Sequence, residues 1–208
     1  MARLGIGCIL LLCFVVGGCM SALRPESPQT VFYSLDTEPA EPSCRQSISG
    51  SLRVWEFTTS SPFNRTGMAV LDSPGKIVFS RASQWADLPG VMVAEVLQRD
   101  LSQSGLFPLV FLGTPSLDAD FELSGRVHEF CCRQSGEESR AVLKVAVSLI
   151  PTKLQPDLVM HKTYTLESSP FVSNEPSKFA QVMSSLVSQL SLRVQNDLCR
   201  VAASSDWQ

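Results

Sequence analysis

The sequence is sparing with charge and with side chains that do chemistry. Of 208 residues only 18% are Asp, Glu, Lys or Arg, and two are histidine. Lys+Arg 17 against Asp+Glu 20 leaves a formal charge of -3. Binding nucleic acid requires a basic surface against the phosphates, and electrostatic membrane adsorption requires a polybasic patch, so both fit poorly. There is no GxSxG elbow, HExxH or Walker loop. There is no CxxC, and His128 and His161 stand alone in the sequence, which gives no metal or redox signature. Asp118, Asp120 and Glu122 would share one side of an extended chain, a conceivable weak cation site but more simply a solvated strand start. The expectation is a protein that is not an enzyme. Its 44% hydrophobic content suits one globular domain with short extensions.

One uncharged run, Leu4 to Val16, is too short to cross a bilayer core, which takes about 20 residues. Arg3 precedes it; Gly17, Gly18 and Cys19 follow. This is the layout of a signal peptide with small residues at the cleavage site. Val16-Gly17-Gly18-Cys19 resembles the bacterial lipobox, in which the cysteine thiol is acylated before cleavage. Cys8 leaves almost no apolar segment before it, and Cys13 follows bulky Leu12, so neither suits as acceptor. Residues 1–18 are then a lipoprotein signal peptide, and 19–30, with Pro25 and Pro28, a lipidated tether. The covalent lipid on Cys19 (diacylglycerol and an acyl chain such as palmitate) is the one expected non-protein group. Each buried CH₂ contributes about 0.8 kcal/mol, so two or three chains hold stably. Met20, where lipoproteins kept at the inner membrane favour Asp, points to the outer membrane.

Beyond Cys19 lie Cys44, Cys131, Cys132 and Cys199, all candidates for disulfides in an exported chain. A bond between neighbours Cys131 and Cys132 would be strained. On a strand they point to opposite faces, each free to reach its own partner.

After a short β-like run at 31–35, the apolar pattern reads as strands over 51–58, 68–71, 76–80, 107–112, 121–130, 143–149 and 158–167. Asp72-Ser73-Pro74-Gly75 reads as the turn of a hairpin, and a bulge is expected near Phe130. Two helices are expected. One spans 88–104, with Asp87 able to cap, Pro89 in the first turn and Gly105 at the exit. The other runs from about Pro176 to Val201, with Asn174 as a cap and a stripe from Phe179 to Val201. The fold class is α+β, a mostly antiparallel sheet packed by two helices over residues 31–203.

Trp85, placed in the loop before the first helix, either anchors a partner or closes one end of the core. With Pro74 and Phe79 of the hairpin it forms the candidate partner-binding set.

Phe32-Tyr33-Ser34-Leu35, Leu71-Asp72-Ser73-Pro74-Gly75-Lys76-Ile77-Val78 and Trp85-Ala86-Asp87-Leu88-Pro89 follow Cys19 in that order. Together with Val96-Leu97 and the closing meander and helix, they resemble the ABC-type transport auxiliary lipoprotein family. The chain departs from it in having Ser73 where Arg is more usual, Leu88-Pro89 in reversed order, and extra cysteines. The resemblance implies a fold like the amino-terminal domain of TolB. It implies an outer-membrane lipoprotein facing the periplasm, with an MCE-domain protein and an ABC permease and ATPase as partners. The cargo would be phospholipid or other hydrophobic molecules, and self-association is left open. Two rival readings are a lipoprotein that itself binds a hydrophobic ligand, and a cysteine-based redox protein.

Overall fold

Two long alternating segments organise the molecule. The computed structural model describes residues 29–39, 47–113, 117–152, 160–172 and 175–203. In it, β7 (Phe121–Ser135) and β8 (Glu138–Pro151) pair antiparallel over nearly their whole length. The turn between them uses Gly136 at φ 63. A register shift between Val127 and Glu129 puts the expected bulge at His128. It changes which residues face the core: Leu123 and Val127 before it, Phe130 and Cys132 after it, all buried.

The remaining strands line up on this hairpin. β2 (Ser51–Val54), β3 (Thr58–Thr59) and β4 (Gly67–Ser73) follow one another along a single edge of β7, all parallel to it. β4 turns at Gly75, φ 80, into β5 (Lys76–Trp85), and β1 (Val31–Tyr33) adds parallel to β5. β6 (Leu109–Leu112) closes the other side against β2. On the far side of β7, β8 carries β9 (Met160–Glu167) and, at its start, β10 (Phe171–Val172). The longest pairings are antiparallel, as expected for an α+β sheet; the five short parallel ones were not foreseen.

The chain between β2 and β3 explains two glycines. Phe57 lies against Gly125, where a Cβ would come 2.3 Å from its ring. At Gly90 a Cβ would come 2.0 Å from the Phe57 carbonyl oxygen. The Gly90 N–H donates to Thr59 Oγ1 at 3.0 Å, so the first turn of α1 sits directly on this connection.

Helix α1 (Pro89–Gln103) has Pro at its first turn and ends before Gly105 at φ 72. Leu88, not Asp87, is the cap residue; the Asp87 carboxylate accepts the Leu88 N–H at 2.6 Å and reaches no helical N–H. Helix α2 (Pro176–Ala203) buries Phe179, Met183, Leu186, Val187, Leu190, Val194 and Leu198. Asn174 lies outside the described residues. Each such side chain stabilises by about 1.5–3 kcal/mol when fully removed from water. Both helices cover one face of the sheet.

The largest side chain in that core is Trp85, 1% exposed. Its ring meets Phe130 at 5.1 Å and Phe179 at 5.4 Å, both edge to face. It ends β5 and is not in a loop. Its candidacy as a partner anchor is therefore corrected: the ring is spent on joining α2 to the sheet. On the opposite sheet face a second cluster forms around Phe63, Ala69, Cys131 and Val142, with Leu71, Ile77 and Phe79 beside it.

Candidate functional site

Three features of the surface bear on function: the edge formed by β1 and the chain that follows it, an apolar cavity beside it, and a polar groove along β9.

The segment from β1 to Thr37 is tied down at several points. β1 pairs with β5, and the Ala86 N–H donates to the Tyr33 carbonyl at 2.8 Å. The Asp36 N–H donates to Ser184 Oγ of α2 at 3.0 Å. Arg99 of α1 donates to both the carbonyl and the hydroxyl of Thr37, at 2.8 and 2.9 Å. The same guanidinium pairs with Asp100, which is completely buried and also accepts from Ser191 of α2. A buried carboxylate thus connects the chain at Thr37 to both helices. Val31, Phe32 and Val78 at this edge are 48%, 63% and 46% exposed.

An apolar cavity of about 140 Å³ opens nearby, lined by Met68, Val70, Ser83, Cys132, Pro176 and Phe179. Cys132 faces this main core, while Cys131 faces the second cluster. Both thiols are buried and free. They are thus corrected as disulfide candidates: neighbours on one strand point into two separate apolar layers, and neither meets a second sulfur. Burial pushes the Cys131 thiol up to about 12, with the Glu129 charge adding to it. Burial also raises Cys132, although a hydrogen bond with Ser139 opposes it. Cys199 is disulfide-bonded; Cys44 lies outside the described residues, as does Cys19.

The polar groove, about 470 Å³, runs between β9 and the last turns of α2. Its floor is organised by Asp197. That carboxylate accepts from Lys162 Nζ and from Tyr164 Oη, each at 2.7 Å, and from Arg200. Burial alone would raise the Asp197 carboxyl. The hydrogen bonds from Lys162 and Tyr164 and the charges of Lys162 and Arg200 outweigh it, leaving the group below its ordinary value. Burial and the Asp197 contact both push the Tyr164 phenol well up.

The structure does not bring the sequence-chosen partner set together. Pro74 is exposed at the hairpin tip, Trp85 is in the main core, and Phe79 lies half-buried in the second cluster under Arg65, 4.2 Å from the ring. Of the acidic trio, Asp120 accepts from the Ser51 N–H at 2.8 Å and Glu122 pairs with Arg53 at 2.9 Å, so both fasten β2. Asp118 is exposed. The Asp100 and Asp197 networks were missed. A signal was present, since each carboxylate interrupts the apolar face of its helix, next to Leu101 and Leu198.

No curated protein matches the chain significantly. A solved structure of protein XCC0632 from Xanthomonas campestris superposes with a TM-score of 0.76 at 16% identity, over 86% of this chain and all of that one. An uncharacterized protein gives 0.64 at 17% identity, over 82% and 99% of the two chains. Hypothetical protein CT253 from Chlamydia trachomatis gives 0.50 at 12% identity, over 73% and 99%. At these identities the likeness establishes the fold. Residues 33–195, from β1 into the last turns of α2, match the model of the ABC-type transport auxiliary lipoprotein component. A match across most of the domain settles the affiliation: the chain belongs to the ABC-type transport auxiliary lipoprotein family.

Proposed function

We propose that this chain is an outer-membrane lipoprotein, acylated on Cys19, that serves as the docking component of an ABC/MCE-type system moving phospholipid or other hydrophobic molecules across the periplasm. The family match over 33–195 carries the reading; the Val16-Gly17-Gly18-Cys19 sequence supports the anchor. Among the described residues no helix is long and apolar enough to cross a membrane. Attachment through an amino-terminal lipid raises the concentration of the domain at the bilayer surface, where partner binding becomes effectively intramolecular.

At the apolar cavity beside β1, size favours docking over carriage of a ligand. A cavity of about 140 Å³ matches an engineered cavity of about 150 Å³ that takes one benzene. Sites for drug-sized ligands run to about 300–1,000 Å³, and a two-chain lipid is larger still. The cysteine-based redox reading loses its nucleophile, because both free thiols are buried and raised and the thiolate is the reactive form.

Crosslinking in intact cells followed by affinity purification of the full-length lipoprotein tests the assignment. Recovery of an MCE-domain protein with the permease and ATPase is expected. Recovery of the lipoprotein without any MCE-domain protein, under conditions that capture other envelope complexes, would overturn it.

A further inference from the structure

We propose that the groove along the free edge of β9 receives an acidic, extended segment of a partner protein, which adds to the sheet as a further strand. The inference does not depend on the anchor or the transport role.

The first observation is an edge. β9 pairs with β8 through eight consecutive positions, Met160↔Leu149 to Glu167↔Val142, without a register shift. Among the described residues no backbone group of β9 is paired on the other side. Exposed edges are normally blunted by bulges, proline, inward charges or a covering element. β9 has no bulge and no proline; Lys162 is its one such charge, held by Asp197, and the strand formers Thr163 and Thr165 are both exposed. Four consecutive residues, 162–165, line the groove. Successive side chains alternate between faces, so a cleft touching all four runs along the strand's backbone rim.

The second observation is charge. The opposite wall is one stripe of α2, namely Arg193, Asn196, Asp197 and Arg200. With Lys162 this places three cations around one carboxylate. Asp197 holds two of them in place. Arg193 makes no ion pair among the described residues and is exposed. An edge lysine that discourages aggregation explains Lys162, and complementing the helix dipole explains Arg200. Arg193, further from the helix end, is covered by neither explanation.

These observations select the occupant. An incoming strand satisfies the free N–H and C=O groups of β9, the mode of strand addition. Its side chains alternate, so acidic residues at every second position would meet the cations. A second copy of this chain pairing through β9 would bring two sets of Lys162, Arg193 and Arg200 together, which like-charge repulsion opposes.

The test uses the full-length lipoprotein in detergent micelles and a fluorescein-labelled peptide of about ten residues alternating Glu and Val, long enough for an ordinary strand. Fluorescence anisotropy should show saturable binding that weakens as salt rises, with no binding of the Lys–Val counterpart. Arg193→Glu should weaken binding roughly tenfold. N-methylation of alternate backbone nitrogens should abolish binding in one of the two frames, and this change leaves the protein untouched. Thr163→Pro should do the same while far-UV circular dichroism stays unchanged. Equal binding of the Glu–Val and Lys–Val peptides would overturn the proposal. So would binding that survives N-methylation in both frames, which marks a simple anion site, or an affinity indifferent to Arg193→Glu. A disulfide-trapped dimer of a Thr163→Cys variant that forms more readily than it binds peptide would assign the edge to a second copy instead.

Discussion

Replacing Asp100 by alanine is expected to cost the fold about 2–4 kcal/mol. The carboxylate is completely buried. One oxygen takes two donors from Arg99, at 2.9 and 2.7 Å, and the other takes the Ser191 hydroxyl. The Ser191 hydroxyl is also fully buried and receives Gln195 Nε2 at 3.2 Å. A hydrogen bond to a charged acceptor is worth about 1.5–3 kcal/mol, and an orphaned buried donor costs about 1–3. The Arg99 side chain is 34% exposed, so water replaces much of its lost contact and that part is held to about 1 kcal/mol or less. Ser191→Ala alone should cost about 1–2 kcal/mol, and the double variant clearly less than the sum, because each change removes the same bond. Urea unfolding followed by circular dichroism reads this as a midpoint lowered by about 1–2 M for Asp100→Ala. A loss under about 0.5 kcal/mol, the usual range of surface changes, or strict additivity in the cycle, would refute the reasoning. Loosened Thr37 should also make the 34–39 segment more sensitive to limited proteolysis.

Gly90→Ala forces a Cβ toward the Phe57 carbonyl, 2.0 Å away, and should lower stability by about 1–3 kcal/mol in thermal melts. Gly75 has open space around it, so Gly75→Asn, which tolerates positive φ, should melt near the parent temperature. Cys131 and Cys132 should resist a maleimide in the folded chain at neutral pH and react fully in denaturant, as mass spectrometry would register. A non-reducing peptide map should join the Cys199 peptide to that of Cys44, the cysteine left once Cys8 and Cys13 of the expected signal peptide, an acylated Cys19 and two free thiols are set aside. Asp197 lies below its ordinary value of 3.8 when folded. Its contribution is therefore present above the unfolded carboxylate range and fades as pH falls through the lower folded value. Asp197→Asn should flatten the acid limb of a stability–pH profile below about pH 4; an unchanged limb would contradict the network.

Local pattern made α1 and α2 legible, because Pro89, Gly105 and an apolar stripe announce a helix without reference to the rest of the chain. The β7–β8 hairpin and its bulge were legible for the same reason. The parallel pairings of β2, β3 and β4 with β7 were not, since they join residues about sixty apart, such as Val70 and Cys132, and period-two alternation says nothing about partners. Trp85 was misplaced because the strand was ended at Ser80, before the polar residues Arg81, Ser83 and Gln84; β5 in fact runs on to Trp85, with Ser83 and Trp85 buried on one face. The groove along β9 needed the fold itself. Lys162 and Arg193 look like ordinary surface charges until α2 lies beside the free edge.

The measurement that bears most directly on the account is incorporation of labelled palmitate with membrane fractionation, comparing the unaltered chain with Cys19→Ala. Acylation at Cys19 predicts label in the unaltered protein, sedimentation with the outer-membrane fraction, and loss of both in the variant. Equal label and unchanged membrane partitioning of Cys19→Ala would contradict the anchor and the address together.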